Sequence, residues 1–332
     1  MVLSKLRGKV TGMDRIGVLT SGGDAPGMNA AIRAVVRCAA YHKIKCLGIE
    51  QGYEGLIDGE ISPLKVRDVG SIIQRGGTML RTARSDRFMT PQGRRLALEQ
   101  CRKNKIDGLV VIGGDGSFRG AWELQSLGLP VVGVPATIDN DINGTDMTVG
   151  FDTALNTALD AVRRLRDTAH SHDRLFIVEV MGRSCGFIAL QTAVAGGAEY
   201  AVLPEYGLDL DRLCKKLDSS KASGKNYSLI VLAEGVMSGY ELQKKLLEKG
   251  PQYKATVTVL GHIQRGGSPS SYDATIASRM GAYSVNCLID GTYGVMTGLQ
   301  NGRMTPVPLP DTWKEKKRLN PEMLHLVEEL SI

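Results

Sequence analysis

The stretch "DGLVVIGGDGSFRGAWELQSLGLPVVGVPAT" (residues 107–137) contains the repeating element of this fold. An apolar run ends at the glycine-rich turn "GGDGS" (113–117), an amphipathic segment follows, and "PVVGVPAT" (130–137) is a second apolar run. The order of strand, turn, helix and strand predicts a parallel β-α-β unit. Because both runs are almost continuously apolar, we expect strands whose two faces are covered by helices.

The same pattern recurs on both sides of this stretch. "RIGVLTSGG" (15–23) precedes the amphipathic "NAAIRAVVRCAAYHK" (29–43). "LFIVEVMGR" (175–183) and "TVTVLGHIQRGG" (256–267) begin later units, and in each case the glycine-rich turn follows the predicted strand, where open α/β sheets bind ligands. We predict an α/β fold of two doubly wound, Rossmann-like parallel-sheet domains, with the active site in the cleft between them.

The chain is expected to divide into two discontinuous domains after a short N-terminal extension at residues 1–13. The larger domain is predicted to comprise residues 14–150 and about 262–315. The smaller is predicted to comprise residues 151–261 and about 316–332.

Composition restricts the functional class. The 332 residues are 42% apolar and 23% charged, which excludes a wholly disordered chain. The formal net charge is +6, but Lys and Arg are spread among acidic residues, so we predict no nucleic-acid partner. No apolar run reaches the roughly 18 residues of a membrane span and no apolar leader precedes the first strand, so we predict no membrane partner.

Two further features bear on the cellular compartment and on the protein surface. The six cysteines form no CxxC pair and no metal-binding spacing, which predicts buried free thiols in the cytoplasm. The charged run "WKEKKR" (313–318) is predicted to be a solvated face.

The turn "GGDGS" has the composition of a phosphate-binding loop. Its glycines let backbone N–H groups approach phosphate oxygens, and Ser117 is predicted to start the next helix, whose N-terminus favours an anion. Asp115 would repel a phosphate unless a cation lies between them, so we predict Mg²⁺, which takes oxygen ligands. The turn matches neither GxxxxGK[ST] nor GxGxxG. A plain Asp-Gly turn is the alternative.

Two carboxylates follow the second apolar run, in "TIDND" (137–141). Phosphoryl transfer needs positioned reactants, charge neutralisation and a group that accepts the proton of the acceptor hydroxyl. Asp139 is the candidate base. In an extended turn, Asp141 would point to the same side and help to bind the metal. The alternative is an Asx-turn with solvated acids.

Basic side chains lie in the other turns. Arg183 and Arg265 each follow a predicted strand among glycines, where a guanidinium can reach a phosphate through two hydrogen bonds. His262 lies in the same turn as Arg265, which favours a substrate hydrogen bond over a core histidine. Arg84 and Arg174 are further candidates, for which an ordinary surface position is the alternative.

Together these motifs resemble those of the bacterial-type ATP-dependent 6-phosphofructokinases. The resemblance covers roughly residues 15–301 and includes, in order, "IGVLTSGGDAPGMNAAIR", "VVIGGDGS", "TIDNDI", "VEVMGR" and "VLGHIQRGGSP". It implies phosphorylation of fructose 6-phosphate at its 1-hydroxyl by ATP, with Mg²⁺, in a glycolytic, cytoplasmic homotetramer with shared active and effector sites. It also implies that the larger domain binds ATP and the smaller binds fructose 6-phosphate.

The resemblance assigns a role to individual residues of this chain. The residues that match the catalytic set are Asp139 as the base, Thr137, Arg183 and Arg84. The residues that match nucleotide contacts are Gly23, Arg84, Gly116, Ser117 and Gly120. The residues that match sugar-phosphate contacts are Thr137, Asp139, Arg174 from a neighbouring subunit, Met181, Gly182, Arg183, Glu234, His262 and Arg265. The metal-associated acids are Asp115 and Asp141.

Three related functions are the alternatives. Pyrophosphate-dependent phosphofructokinases carry Asp and Lys where this chain has Gly116 and Ala136, so ATP is the predicted donor. A non-catalytic paralogue that acts as a regulatory subunit is expected to lack Asp115 or Asp139, and both are present. A regulatory or weak-affinity paralogue stays an alternative because of Thr256. An NAD or lipid kinase would lack the "TIDND", "MGR" and "GHIQRGG" set.

Three positions depart from the family pattern. Thr256 stands where the family has a second cross-subunit arginine for the 6-phosphate. Losing that contact predicts a loss of about 1.5–3 kcal/mol of phosphate binding, unless Lys254 or Arg81 substitutes. Arg81 itself stands where many relatives have Gly, and Ser85 replaces an aromatic near the adenine. Weak substrate affinity or an altered donor preference is therefore predicted.

The family's effector site is only partly matched. The matching residues are Arg33, Arg37, Arg166, Glu199 and Lys225. The positions that have lost a basic residue are Val66, Ser223 and Asn226. Because fewer positive charges attract an anion less strongly, we predict weak effector binding.

Overall fold

The structure, a computed structural model, describes residues 12–172 and 174–331. Across these residues strands alternate with helices, as predicted. The strands are β1 (Arg15–Ser21), β2 (Lys45–Ile49), β3 (Ile61–Leu64), β4 (Gly108–Gly113), β5 (Val131–Pro135), β6 (Leu175–Val180), β7 (Tyr200–Val202), β8 (Ser228–Ala233), β9 (Ala255–Val259), β10 (Val295–Gln300) and β11 (Arg303–Pro308).

The helices lie between the strands and at the end of the described chain. They are α1 (Met28–Tyr41), α2 (Gly52–Asp58), α3 (Pro91–Lys103), α4 (Asp115–Ser126), α5 (Phe151–His172), α6 (Phe187–Gly196), α7 (Leu210–Ala222), α8 (Gly239–Lys249), α9 (Ser271–Ile289), α10 (Asp311–Lys314) and α11 (Pro321–Leu330). Short 3₁₀ turns occur at Arg87–Met89, Pro251–Tyr253 and Gly261–Arg265.

The stretch 107–137 forms β4, α4 and β5, as its pattern predicts. Every residue of β4 is buried, because its edges pair in parallel with β1 and β5 and helices cover its faces. Phe118 is fully buried beneath α4, and a Cβ on Gly133 of β5 would lie 2.6 Å from its ring. Glycine at 133 therefore makes room for the helix on the sheet, and burying such a phenyl ring contributes about 1.5–3 kcal/mol.

The first sheet is mixed rather than wholly parallel. Its strand order is β11-β10-β5-β4-β1-β2-β3, and the edge pairs β2–β3 and β10–β11 are antiparallel. The prediction of parallel sheets is therefore wrong at both edges. Asn301 and Gly302 connect β10 to β11 with φ values of +49° and +77°, and a two-residue turn of this kind fits the twist of an antiparallel pair.

The arrangement of the central strands brings three turns to one edge. β1, β4 and β5 are parallel neighbours, so the turns that follow them leave the sheet at the same edge. These are the turns that begin at Gly22, Gly114 and Ala136. The predicted placement of these turns at the carboxyl ends of the strands is thus confirmed, and the first two are rich in glycine.

The second sheet is wholly parallel, with the order β7-β8-β6-β9. Its core is formed by buried aliphatic side chains from the strands and from α7 and α8, including Ile177, Leu213, Ile230, Leu232 and Leu246. β9 forms an edge, where Phe176 of β6 is the register partner of Thr256.

The chain divides into two compact units, each built from three segments. Counting their described residues only, the first unit is Met1–Thr137, Ile142–Gly150 and Gly267–Lys316, and the second is Ile138–Asp141, Phe151–Gly266 and Lys317–Ile332. Two short segments differ from the predicted domain boundaries, since residues 138–141 and 262–266 belong to the second unit. Of the predicted extension at residues 1–13, residues 1–11 lie outside the described residues.

Across residues 12–172 and 174–331, no helix combines the length and the apolar character needed to cross a membrane.

Candidate active site

The turn after β4 leads into α4 earlier than predicted. α4 begins at Asp115, two residues before the predicted start at Ser117. The carboxylate of Asp115 therefore lies in the first helical turn, where the helix dipole stabilises a negative charge, and its Oδ1 accepts a hydrogen bond from the N–H of Gly116 (2.6 Å).

The glycines of this turn serve different purposes. A Cβ on Gly113 would lie 2.4 Å from the carbonyl oxygen of Ser21, so glycine is required there by the close approach of β1. A Cβ on Gly114 or Gly116 would meet nothing within 4 Å. The first glycine is a packing requirement, and the other two leave open space beside the start of α4.

Tyr53 supports the same turn from beneath. Its hydroxyl donates a hydrogen bond to the carbonyl oxygen of Ser117 (2.6 Å), and burial raises the pKa of Tyr53, which keeps the donor proton in place. The Tyr53 ring stacks on Phe88, with 4.0 Å between ring centroids. A Cβ on Gly120 would lie 2.9 Å from the Tyr53 ring, so Gly120, predicted to contact nucleotide, is also required by this packing. Sequence reasoning missed Tyr53, because no motif or apolar periodicity in the sequence marks it as a support of this turn.

Two other nucleotide candidates of the first unit are exposed. Gly23 lies in the turn after β1, and Arg84 lies in the loop between β3 and α3. Thr20 donates a hydrogen bond from its Oγ1 to the carbonyl oxygen of Arg81 (2.7 Å), which attaches that loop to the end of β1.

Thr137 ends the segment that extends β5. Its N–H donates to the carbonyl oxygen of Val149 (3.1 Å), and its own carbonyl oxygen accepts from the hydroxyl of Thr148 (2.6 Å). Ala136 forms a bridge to Val149 as well. The backbone of this predicted catalytic position is therefore fixed within the first unit.

In the second unit, Asp139 and Arg183 form an ion pair. The Nε of Arg183 lies 3.4 Å from the Oδ2 of Asp139. The Asp139 side chain is 1% exposed and that of Arg183 is 53% exposed. The guanidinium stabilises a buried carboxylate, and its exposed side can also contact an anionic ligand.

The turn that carries Asp139 is not extended. Asn140 has φ +53°, in the left-handed region, and is 2% exposed. The prediction of an extended turn, in which Asp141 would point to the same side as Asp139, is therefore wrong at Asn140. Asp141 is half-buried, unlike Asp139.

Lys317 reaches this turn from the C-terminal segment. Its Nζ donates a hydrogen bond to the Oδ1 of Asn140 (2.9 Å) and lies 5.2 Å from the centroid of the Phe187 ring. The prediction that residues 313–318 form a solvated face is correct for the exposed residues 314–316 and 318 and wrong for the half-buried Trp313 and Lys317.

The backbone at Arg183 is held in a sharp turn. Gly182 and Arg183 have φ values of +147° and +50°. A Cβ on Gly235 would lie 1.7 Å from the carbonyl oxygen of Arg183, so only glycine fits at 235. The Oε1 of Glu234, a predicted sugar-phosphate contact, accepts hydrogen bonds from the N–H groups of Gly182 (3.3 Å) and Arg183 (3.1 Å). Glu234 therefore fixes the turn that presents Arg183.

The 3₁₀ turn Gly261–Arg265 contributes a buried amide. The Oε1 of Gln264, which is fully buried, accepts a hydrogen bond from the N–H of Met181 (2.8 Å). His262 is exposed, which excludes the core-histidine alternative, and Arg265 is half-buried. Sequence reasoning missed Gln264, although it lies between the two residues selected from the same motif.

Cys185 lies next to the ion pair. Its thiol donates to the carbonyl oxygen of Gly182 (3.0 Å), and the carbonyl oxygen of Asp139 is 3.7 Å from the sulfur. Burial raises the pKa of Cys185, and the negative charges of Asp141 and Asp139 raise it further. The thiol therefore stays protonated at neutral pH. All six cysteines are free, as predicted, and four of them are buried.

Arg174 and Lys225 line one cavity of the second unit, of about 420 Å³. Arg174 is a predicted sugar-phosphate contact and Lys225 a predicted effector contact. The Nζ of Lys225 lies 3.0 Å from the Oε1 of the buried Glu199, so the charge of this lysine is already matched within the unit. Arg166 likewise donates to the carbonyl oxygen of Gly197 (2.9 Å).

The remaining basic residues that match the effector site lie in the first unit. Arg33 and Arg37 lie on α1 of the first unit. The positions without a basic residue, Val66, Ser223 and Asn226, are all exposed.

The three departures from the family pattern have defined surroundings. Thr256 is exposed on the edge strand β9, close in sequence to the exposed Lys254. Ser85 donates a hydrogen bond to the carboxylate of Glu54. Arg81 is exposed and has φ +55°, a left-handed conformation that glycine adopts more easily.

The predicted Mg²⁺ ligands fit that ion by their chemistry. Within the residues that the structure describes, no group of three or more His, Cys, Asp or Glu side chains could hold a metal ion. Mg²⁺ prefers oxygen ligands and is usually bound by one or two carboxylates together with substrate phosphates and water. Asp115 and Asp141 supply carboxylates of this kind.

A family model matches most of the chain. The family model described as phosphofructokinase matches residues 15–288. The chain belongs to the phosphofructokinase family. This confirms the resemblance seen in the sequence.

Curated phosphofructokinases match this family member along nearly its whole length. It is 53% identical to the ATP-dependent 6-phosphofructokinase of Bacillus pumilus and 52% identical to that of Halalkalibacterium halodurans. It is 51% identical to the ATP-dependent 6-phosphofructokinase of Listeria monocytogenes. Each match spans 320 residues, which is 96% of this chain and 100% of the relative.

Solved phosphofructokinase structures share the fold. A chain of the phosphofructokinase from Saccharomyces cerevisiae has a TM-score of 0.84 at 33% identity, over 91% of this chain and 45% of that longer chain. A pyrophosphate-dependent phosphofructokinase from Marinobacter aquaeolei has a TM-score of 0.84 at 21% identity, over 93% of this chain and 86% of that one, which indicates a common fold. The predicted α/β fold class is thus confirmed.

Proposed function

We propose that this chain transfers the γ-phosphoryl group of ATP to the 1-hydroxyl of fructose 6-phosphate, giving ADP and fructose 1,6-bisphosphate. This is the committed step of glycolysis. The activity is that of the curated relatives, which are 51–53% identical to the chain. The single observation that carries the chemical proposal is the buried carboxylate of Asp139 beside the guanidinium of Arg183.

Asp139 is the proposed general base. Its carboxylate accepts the proton of the 1-hydroxyl as that oxygen attacks the γ-phosphorus and the bond to ADP breaks. A buried carboxylate has few water molecules to displace, so a hydroxyl that binds there is well placed for proton transfer. Asn140 in its left-handed conformation and the packing around Asp139 fix the direction of this carboxylate.

Arg183 and Arg84 are the proposed electrostatic partners of the migrating phosphoryl group. Arg183 is attached to Asp139 on one side and half-exposed on the other, so one guanidinium can serve both the base and the phosphoryl oxygens. The sharp turn at Gly182, fixed by Glu234, sets its direction. Arg84 lies in the loop attached to β1 through Thr20 and Arg81.

The nucleotide is proposed to bind at the turn after β4, together with Gly23. The open space beside Gly114 and Gly116 would receive phosphate oxygens, and the N-terminus of α4 favours their charge. Ser117, which is held by Tyr53, and Gly120 continue this surface along the helix. Asp115 and Asp141 are the proposed Mg²⁺ ligands, and the bound ion supplies neutralisation of the phosphate charge.

The sugar phosphate is proposed to contact the second unit. The proposed contacts beyond Thr137, Asp139 and Arg183 are Arg174, Met181, Gly182, Glu234, His262 and Arg265. Arg174 is proposed to act on a neighbouring subunit, in a homotetramer. Its exposure on the surface of its own unit is compatible with that role. Six free thiols are compatible with a cytoplasmic location.

One assay tests this function. Purified protein is supplied with ATP or pyrophosphate, and with fructose 6-phosphate or a related sugar phosphate, and the bisphosphate formed is measured. We expect product from ATP and fructose 6-phosphate in the presence of Mg²⁺, and little from pyrophosphate, since Gly116 and Ala136 stand where pyrophosphate-dependent relatives carry Asp and Lys. Faster turnover with pyrophosphate would overturn the donor assignment. No bisphosphate from either donor would overturn the function.

A further inference from the structure

Lys317 contacts the candidate site of the second unit but has no role in the proposed chemistry. It lies in a charged run whose residues 314–316 are exposed, yet Lys317 itself is half-buried. Its ammonium donates to the Oδ1 of Asn140 (2.9 Å) and lies over the Phe187 ring (5.2 Å). Ordering a lysine side chain costs conformational entropy, so these two contacts must contribute more free energy than that loss.

Asn140 needs such a partner. It is 2% exposed with φ +53°, a conformation that costs a non-glycine residue free energy and persists only where the surroundings fix it. A buried amide is also costly without hydrogen bonds. The charge-assisted bond from Lys317 meets both requirements at the residue that directly follows Asp139.

Phe187 connects Lys317 to the other member of the ion pair. It is the first residue of α6 and is 6% exposed, and it follows the turn that carries Arg183 by four residues. One ammonium therefore contacts both the segment that presents Asp139 and the segment that presents Arg183. An attraction between a cation and an aromatic face is stronger where water is excluded.

We propose that Lys317 is a positioning residue for phosphoryl transfer: it fixes the backbone at Asn140 against the start of α6 and thereby sets the Asp139 carboxylate relative to Arg183. This inference rests on the proposed function. Lys317 touches neither the transferred group nor the hydroxyl in this scheme. It acts through Asp139.

The consequence is a defect in turnover rather than in binding. A shift of a reacting group by about 1 Å can reduce the rate by roughly a hundredfold. For Lys317→Met, which keeps an unbranched apolar side chain and removes the ammonium, we expect kcat to fall about 10- to 100-fold while the KM values for ATP and fructose 6-phosphate change less than about threefold. Lys317→Arg restores a cationic donor, and we expect its kcat to exceed that of Lys317→Met by at least about threefold.

Lys316→Met is the matched control, since Lys316 is the exposed neighbour. We expect its kcat to equal that of the wild type. Melting temperatures and circular dichroism of each variant establish that the compared proteins are folded. If Lys317→Met does not fold, Asn140→Gly is measured in its place, because glycine accepts the left-handed conformation and removes the side-chain amide that Lys317 contacts. We expect the same loss of kcat.

A double-variant cycle separates positioning from general destabilisation. If Lys317 acts through Asp139, then adding Lys317→Met, or Asn140→Gly where that variant replaces it, to Asp139→Asn should lower the residual kcat by less than about twofold. A wild-type kcat for the single variant, or an equal loss of kcat in the wild-type and Asp139→Asn backgrounds, would overturn the positioning role while leaving the proposed function intact. A wild-type kcat for Asp139→Asn itself would overturn the role of Asp139 and this inference with it.

Discussion

The turn after β4 and the turn after β6 present their proposed ligand-binding groups in opposite ways. At residues 113–117 the first unit offers open backbone at the start of a helix, and the packing below it comes from Tyr53 and the close approach of β1. At residues 181–183 the second unit offers the side chain of Arg183, whose backbone is tied down by Glu234.

The two turns differ in what sets the direction of the groups that they present. Backbone N–H groups at a helix start bind any phosphate of suitable shape, and their direction is set by secondary structure alone. The Asp139–Arg183 pair depends on side chains that several separate segments hold in place. We therefore expect substitutions in this turn of the first unit to change its packing or the space left for a phosphate. Substitutions around the ion pair of the second unit should change its charge or the orientation of its side chains.

Asp139→Asn should have the largest effect, because it removes the proposed base and keeps the shape of the side chain. We expect kcat to fall by about 10²–10⁴, with the protein still folded. Asp160→Asn is the matched control, since Asp160 is an exposed carboxylate of the same unit, paired with Arg164 on α5. Steady-state kinetics of both variants decide the matter, and a kcat for Asp139→Asn near that of the wild type would contradict the assignment.

Thr256→Arg should strengthen the second unit's hold on the sugar phosphate. Thr256 is exposed on an edge strand, so an arginine fits without repacking. A new charge-assisted contact is worth about 1.5–3 kcal/mol, so we expect the KM for fructose 6-phosphate to fall roughly tenfold or more. The companion variant Lys254→Met tests if that lysine substitutes for the arginine at present, in which case its KM rises. An unchanged KM in Thr256→Arg would show that this position does not reach the phosphate.

Gly113→Ala and Gly116→Ala should have different effects within one turn, the first on stability and the second on ATP binding. The added methyl at 113 meets the backbone of β1, so we expect a loss of about 1–3 kcal/mol in the free energy of unfolding, read as a lower melting temperature. The methyl at 116 meets no protein atom within 4 Å, so we expect an unchanged melting temperature and a KM for ATP raised by about a fewfold. A Gly116→Ala enzyme with the wild-type KM for ATP would contradict a nucleotide phosphate at that position.

The central strands could be predicted because their signal is local. Continuous apolar runs specify β1, β4 and β5 without reference to the rest of the chain, and the runs of β1 and β4 end in glycine-rich turns. The antiparallel edge pair β10–β11 also had a local signal, the dipeptide Asn301-Gly302, which is typical of a tight hairpin. No comparable signal marks the pairing of β3 with β2, which depends on the sheet already formed.

The candidate site could be predicted only in part, because only some of its residues lie in short local motifs. Asp139, Arg183 and Glu234 were selected from short motifs, and the structure brings them together. The contacts that fix them, from Gln264 and Lys317, join segments far apart in sequence and leave no periodic trace. The left-handed conformation of Asn140 had one hint, since asparagine tolerates that region better than other side-chain-bearing residues.

Each unit draws an essential part of its core from the far end of the chain. β10 covers the edge of β5 in the first sheet, and α11 packs on α6 and β7 in the second unit. During synthesis at about 5–20 residues per second, the edge of β5 therefore waits on the order of ten seconds for the strand that covers it. The first core cannot close before residues 295–300 have been made, nor the second before residues 321–330, so chaperones that shield exposed strand edges should matter most in that interval.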